Sequence, residues 1–287
     1  MRSMTWMELF ASGWGKIGFR WIEWRNTISD RETPAVARDG GGNGEKMKVG
    51  LFVTCLVDLM RPRIGFAALR LLEAAGCEVV VPETQTCCGQ PAWNAGDRRA
   101  ARLLAEKLLA EFEGCDYVVA PSGSCAGMIR THYPDLFADD PAWLARAAAL
   151  ASRTYELADF LATVAKPDKL PGNFTGTVTY HDSCSGLREL GVKAQPRALL
   201  AKLPGVMLTE MNGAEECCGF GGTFAVKFGE VSARIAEKKC ENVRASGADA
   251  VVLGDLGCML NIEGKLRRMG DEKTRVLHIA EILAGEA

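Results

Sequence analysis

A cysteine pattern that occurs twice sets the strongest bound on the architecture of this chain. Cys87-Cys88-Gly89 recurs 130 residues on as Cys217-Cys218-Gly219. Upstream, Cys55 recurs as Cys184 after 129 residues; downstream, Cys125 recurs as Cys258 after 133. The flanks agree: Asp116-Tyr117-Val118-Val119 matches Asp249-Ala250-Val251-Val252. Four residues recurring in fixed order mark a duplicated unit, so both halves must fold alike.

The periodicity around the cysteines points to an α/β fold. Short apolar runs predict strands at Val49–Thr54, Glu78–Pro82 and Tyr117–Ala120. Helical spacing marks Ile64–Ala75 and Arg98–Phe112, with Leu103, Leu104, Leu108 and Phe112 on one face of the latter. The order returns with strands at Thr177–Tyr180, Val206–Leu208 and Ala250–Leu253 and helices at Pro196–Leu203 and Val231–Arg244. Strands alternating with helices imply crossover units. Two tandem, pseudo-symmetric repeats are therefore expected, each a small, mostly parallel sheet with flanking helices, over residues 47–170 and 171–287. Pro141–Val164, rich in Ala and Leu, reads as helical, and Pro171-Gly172-Asn173 as the boundary.

Residues 1–46 look unlike the rest. Four of the six tryptophans fall there, and Gly40-Gly41-Gly42-Asn43-Gly44 closes the segment as a flexible linker. It reads as an N-terminal extension: an over-extended reading frame with Met47 as the natural start, or an amphipathic arm for a partner or membrane surface.

Each of the eight recurring cysteines sits where a predicted strand ends or in the loop after it, and in a parallel sheet the carboxyl ends of the strands share one edge. Cys55, Cys87, Cys88 and Cys125 are expected to meet there, and Cys184, Cys217, Cys218 and Cys258 likewise. The chain has 11 cysteines, an odd number, and no export signal, so a disulfide framework is a poor reading. Cys77, Cys115 and Cys240 face Met207, Ala248 and Ala110 in the opposite half, which marks them as packing residues. Sites of four cysteines suit zinc or iron–sulfur clusters. Structural zinc ligands come as closely spaced pairs, which are missing here, whereas a cluster offers separate irons to adjacent thiolates. Gly89 and Gly219, lacking Cβ, would let backbone N–H groups approach the cluster sulfurs. A thiol–disulfide site at Cys87-Cys88 is weaker, because vicinal disulfides are strained and the lone cysteines would have no role.

These residues resemble the cysteine-rich CCG domain family. It includes the B subunit of heterodisulfide reductase, the iron–sulfur subunit of glycolate oxidase and a lactate-utilisation group. Residues 47–287 carry the resemblance, and Pro121–Met128 and Tyr180–Cys184 are most similar to the lactate-utilisation group. The fuller family pattern ends in Cys-x-x-Cys; here Ser122 and Asp255 stand at the first position of that pair. The resemblance implies one iron–sulfur cluster per repeat, of the [4Fe–4S] type, with zinc an alternative in one repeat. Asp255 would be an oxygen ligand or a hydrogen-bonding neighbour. It further implies the iron–sulfur subunit of a cytoplasmic L-lactate oxidation complex, a component of an oxidoreductase rather than a complete enzyme. The implied partners are a ferredoxin-like iron–sulfur subunit and a third small subunit, with L-lactate as ligand. The alternatives are a heterodisulfide-reductase-like thiol/disulfide catalytic subunit and a zinc-stabilised scaffold.

Other classes are excluded. A net charge of −2 leaves no basic excess for nucleic acid. No run of 18 apolar residues spans a membrane. Without a glycine-rich fingerprint after a strand, hydride chemistry has no visible home. His181, three residues before Cys184, is the catalytic candidate: a hydrogen-bond donor to a cluster or substrate, a base on a lactate hydroxyl, or simply a bonded loop histidine. His132 reads as a structural loop residue. Arg130, Arg188 and Lys227 are the cations that could meet a carboxylate.

Overall fold

Short strands of β-branched residues, each capped by a helix, build two parallel sheets. The computed structural model describes residues 46–287, which form one compact unit. The reading of the N-terminal extension falls, apart from Lys46, outside the described residues.

In the first repeat, β1 (Lys48–Leu51) is followed by α1 (Cys55–Met60) and α2 (Pro62–Ala74), then β2 (Glu78–Val80). Next come α3 (Gln90–Asn94), α4 (Arg98–Phe112), β3 (Tyr117–Ala120) and α5 (Gly123–Gly127). A π-helical turn, Met128–His132, leads into α6 (Tyr133–Leu136), α7 (Pro141–Ser152), β4 (Thr154–Glu156) and α8 (Leu157–Phe160). The second repeat runs β5 (Gly176–His181), α9 (Cys184–Arg188), α10 (Ala194–Leu200) and β6 (Val206–Leu208). It ends with α11 (Thr223–Lys227), α12 (Gly229–Ala245), β7 (Ala250–Leu253), α13 (Leu256–Arg268), β8 (Arg275–His278) and α14 (Ile279–Ala284).

The strand orders, β2-β1-β3-β4 and β6-β5-β7-β8, are the same topology twice. Every pairing is parallel, and registers match across the repeats: Gly50 opposes Val118 as Thr179 opposes Val251. Parallel pairing forces each connection over a sheet face, so all strands point their carboxyl ends to one edge.

The fold-class expectation holds, and three local expectations change. Pro141–Val164 is not one helix: Thr154-Tyr155-Glu156 pairs with β3 as a fourth strand. Its β-branched and aromatic residues accept an extended backbone once β3 offers a partner. The buried face of α4 is Ala101, Ala105, Leu108, Leu109 and Phe112, whereas Leu103 points to solvent at 55% exposure. Leu103 lies about 140° round the helix from Leu108, at 100° per residue, and so cannot share its face. The segment around His132 is helical rather than a loop.

Packing around the first sheet is dry. Phe52, Phe112, Val118 and Ala120 join one buried cluster with Cys87, Cys88, Cys115 and Cys125. Gly50 is required there, since a Cβ would fall 2.4 Å from Phe112 Cδ1. Register-equivalent positions in the second repeat are Thr179 and Val243, a larger strand residue with a smaller helix residue. Cys77, Cys115 and Cys240 are all buried, as packing residues should be.

Candidate functional site

Each repeat delivers its four cysteines from three places on the carboxyl edge of its sheet. Cys55 opens α1 just beyond β1, Cys87 and Cys88 lie in the loop after β2, and Cys125 sits in α5 just beyond β3. Cys184, Cys217, Cys218 and Cys258 repeat that arrangement after β5, β6 and β7.

The thiols meet. In the first repeat hydrogen bonds link Cys55 to Cys87, Cys87 to Cys88 and Cys88 to Cys125. In the second they link Cys184 to Cys217, Cys217 to Cys218 and Cys218 to Cys258. All eight are free thiols. Donation from Cys55 and Cys88 holds Cys87 down to about 3, aided by the Gly89 N–H against the pull of burial. Cys217 is held down to about 2 by Cys184, Cys218 and the Gly219 N–H. Their donors move the other way: hydrogen bonding to Cys87 and burial raise Cys55, and hydrogen bonding to Cys217 and burial raise Cys184. Cys87 and Cys217 are thus the sulfurs each quartet favours as thiolate, and metal entry there must expel the protons their donors hold.

The two glycines behave alike. Gly89 and Gly219 stand at φ +87° and +89°, in the left-handed region. That turn aims each N–H back at the preceding pair, Gly89 to Cys87 Sγ at 3.4 Å and Gly219 to Cys217 Sγ at 3.2 Å. A Cβ at Gly219 would also strike the Ser232 carbonyl at 2.6 Å.

Ser122 and Asp255 come to each other. Ser122 Oγ donates to Asp255 Oδ2 at 3.1 Å, and the Ser124 N–H donates to the same oxygen at 2.9 Å. Asp255 Oδ1 accepts from the Gly257 N–H, capping α13, while Ser122 Oγ accepts from the Cys125 N–H, capping α5. Both side chains are thereby committed to capping and to the seam between repeats.

Across that seam α5 packs on α9, so the helices bearing Cys125 and Cys184 touch. A Cβ at Gly123 would lie 3.0 Å from the Gly186 Cα, so only glycine permits this approach.

His181, the last residue of β5, is wholly buried. A ring nitrogen lies within 4.8 Å of Cys218 Sγ and Cys258 Sγ, the one such metal-capable group among the described residues. Burial, with the nearby Lys239 charge, pushes its pKa down to about 3, so the ring is neutral. His132 instead packs on the Trp93 ring, centroids 5.1 Å apart and planes tilted by 30°. Arg130 covers the Tyr155 ring and lies 3.9 Å from Asp159, while Arg188 and Lys227 are exposed.

Several supporting residues had escaped the sequence reading. Tyr133 Oη donates to the Cys88 carbonyl at 2.9 Å, and Asn261 Nδ2 to the Cys218 carbonyl at 2.8 Å. Lys239 is 1% exposed, its Nζ donating to the Gly213 and Ala214 carbonyls. A charged residue on the apolar stripe Ser232, Ala236, Lys239, Val243 was the available signal. Two quartets of clustered, partly ionised thiols, with left-handed glycines donating to them, form a donor set that fits thiophilic metal.

A cysteine-rich domain family model, CCG, matches residues 49–130 and 178–263. Lactate utilization protein A of Bacillus cytotoxicus is 46% identical over 237 residues, covering 83% of this chain and 98% of that protein. The Bacillus subtilis protein of that name is 45% identical, covering 83% and 99%. A crystal structure of a hypothetical protein from Helicobacter pylori matches 94% of this chain and 53% of its own, with TM-score 0.54 and 12% identity, a likeness of fold alone. No helix among the described residues is long and apolar enough to cross a membrane. The chain belongs to the cysteine-rich CCG domain family, within the group that its lactate utilization protein A relatives define.

Proposed function

We propose that this chain is the iron–sulfur subunit of a cytoplasmic L-lactate oxidation complex. Its two quartets would relay electrons, or bind the 2-hydroxy acid, on the way from lactate to pyruvate. The observation that carries this reading is the meeting of four thiols per repeat in one hydrogen-bonded chain. The relatives' name, lactate utilization protein A, supplies the substrate class. The partners would be a ferredoxin-like iron–sulfur subunit and a third small subunit.

A bound iron–sulfur cluster supplies one-electron transfer. Cys55, Cys87, Cys88 and Cys125 would hold one, and thiolates drawn from Cys184, Cys217, Cys218 and Cys258 the other. The chain's own residues do the rest. Gly89 and Gly219 direct N–H groups at sulfur, which favours the anionic form and stabilises added negative charge. Tyr133 and Asn261 fix the carbonyls of Cys88 and Cys218, so neither pair can swing away. The contact of α5 with α9 shortens the path between the quartets. Arg188, exposed and acting electrostatically on Cys184, is our candidate partner for a substrate carboxylate.

The test is iron, zinc and acid-labile sulfide per chain after anaerobic purification, with EPR spectra before and after dithionite. About eight irons and eight sulfides, without zinc, support two [4Fe–4S] clusters. Zinc alone from an oxygen-free preparation would overturn the redox reading and leave a scaffold.

A further inference from the structure

Among the described residues, His181 is the side chain left least satisfied. Both ring nitrogens are buried and neither makes a well-formed hydrogen bond. The Ala214 carbonyl, which faces the ring, already accepts from the Asp182 N–H at 3.1 Å and from Lys239 Nζ at 3.3 Å. A buried imidazole without a partner is uncommon, and each such group calls for a reason. Here the reason lies within 4.8 Å, where Cys218 and Cys258 offer sulfur to the same point.

The first repeat provides the control. Counting from the leading cysteine of each quartet, His181 occupies the place of Phe52. Phe52 is equally buried but packs edge-on to Phe112 at 6.0 Å and offers no ligand atom. A second exchange accompanies the first: Lys239 on α12 stands where α4 has Leu108, counting from the buried pairs Ala101/Ser232 and Ala105/Ala236.

Resting on the reading that both quartets hold metal, we infer that the metal of the second repeat is coordinated by a ring nitrogen of His181 together with the thiolates of Cys218 and Cys258. The first repeat offers sulfur alone. Imidazole nitrogen and thiolate together suit zinc or the iron of a cluster, and both metals share this chemistry. The charges balance as well. A divalent ion, or a [4Fe–4S] core of charge +2, bound by three thiolates and one neutral imidazole carries a net −1. Lys239, buried beside it, supplies the single compensating positive charge that a buried anion requires. The third thiolate comes from Cys184 or Cys217, the other two members of the thiol chain.

The decisive measurement uses the full, unmodified chain purified without oxygen, once with natural and once with ¹⁵N-labelled histidine. For iron, pulsed EPR of the dithionite-reduced protein should show a strongly coupled histidine nitrogen. For zinc, X-ray absorption at the zinc edge should show imidazole scattering beside sulfur. His181→Phe, the residue the first repeat already tolerates, should remove that signal and weaken second-site metal retention by at least about 10-fold. His181→Cys should keep the metal and lose only the nitrogen signal, which a mere hydrogen-bond donor would not do. Metal bound with sulfur scattering and only weak backbone nitrogen couplings overturns the ligand assignment while sparing the proposed function. A second repeat that holds no metal overturns the proposed function, and the ligand assignment with it.

Discussion

Phe52 and His181 occupy the same place in two copies of one fold, and the residues around them diverge in the same direction. In the first repeat β1 ends at Leu51 and is followed by Phe52 and Val53, with Phe52 packed against Phe112 in a buried apolar cluster. In the second the matching run is Tyr180-His181-Asp182. Asp182 is gripped by Arg197 through two bonds of 2.8 and 2.9 Å, and Arg197 also holds Glu210. The backbone differs as well. Thr54, before Cys55, stands at φ +74°, strained for a β-branched residue, whereas Ser183, before Cys184, is relaxed at φ −67°. Duplication has thus preserved what gathers the thiols and released what surrounds them. Surroundings set the charge a site can carry, so identical cysteine patterns need not mean identical chemistry.

The sharpest way to break the comparison is to remove one thiol from each repeat. Each quartet is built from its own loops, so Cys88→Ser should empty the first site and Cys218→Ser the second. Iron, zinc and sulfide per chain should fall by the content of one site, and one EPR signal should persist in each variant. Loss of both signals from a single substitution would show that the repeats share a site.

The ends of β4 and β8 give a second contrast, with opposite pH slopes. Glu156 and His278 oppose Ala120 and Leu253 in equivalent registers, and both are buried helix caps. Each keeps one buried atom unpaired, Glu156 Oε1 and His278 Nε2. Burial lifts Glu156 from 4.5 to about 8, with Asp159 and Asp255 adding to the rise. Burial lowers His278 from 6.5 to about 4, although the Asp255 charge opposes this. A carboxyl raised by folding costs stability as pH climbs from its unfolded to its folded value. A histidine lowered by folding costs stability as pH falls between its own two values. Glu156→Gln should therefore flatten the loss between about pH 4.5 and 8, worth on the order of 5 kcal/mol. His278→Gln should flatten the acid loss between about pH 6.5 and 4, by on the order of 2–3 kcal/mol. Denaturant midpoints across pH check both; unchanged slopes would mean these groups ionise normally in the fold.

Ser122 and Asp255 mark the seam, and the contrast there is one of charge. The Asp255 carboxylate accepts three bonds, from Ser122, Ser124 and, capping α13, Gly257, whereas Ser122 shares one of these and otherwise makes only neutral ones, to Ser124 and the Cys125 N–H. Asp255→Ala should lower stability by about 2–3 kcal/mol and Ser122→Ala by about 1 kcal/mol. Equal urea shifts from the two would remove the asymmetry.

Much of this was legible in the sequence because repetition doubles every signal. The two sheets, the helix Arg98–Phe112 and the eight thiols followed from pattern and spacing. The fourth strands were harder to read. Thr154–Glu156 is three residues long and follows an Ala-rich helix, so only its pairing with β3 makes it extended. Propensity is too weak to announce such a strand alone. The seam was illegible for a different reason. Ser122 and Asp255 are 133 residues apart, and their mutual bond depends on how one repeat docks on the other. No local rule encodes that docking. Lys239 was visible as a charge on an apolar stripe, yet its closeness to Cys218 and Cys258 needed the folded loop at Gly213 and Ala214.

That lysine permits the finest test of how the repeats differ. Burial lowers its pKa, while Cys218, Cys258, Asp182 and Glu216 draw it back toward charge. A positive charge near a redox centre favours the added electron, so the second site should have the higher reduction potential. Lys239→Met keeps the length of the side chain and deletes the charge. At an effective dielectric of about 20 and a separation of about 8 Å, the lost interaction is worth about 2 kcal/mol, or on the order of 100 millivolts for one electron. A redox titration followed by EPR should show the second site's potential fall and the first site's stay put. The matching change in the first repeat, Leu108→Met, should move neither. If Lys239→Met shifts both potentials alike, the lysine acts on the protein as a whole. If it shifts neither, polarity at the second site arises from Asp182, Arg197 and His181 without it.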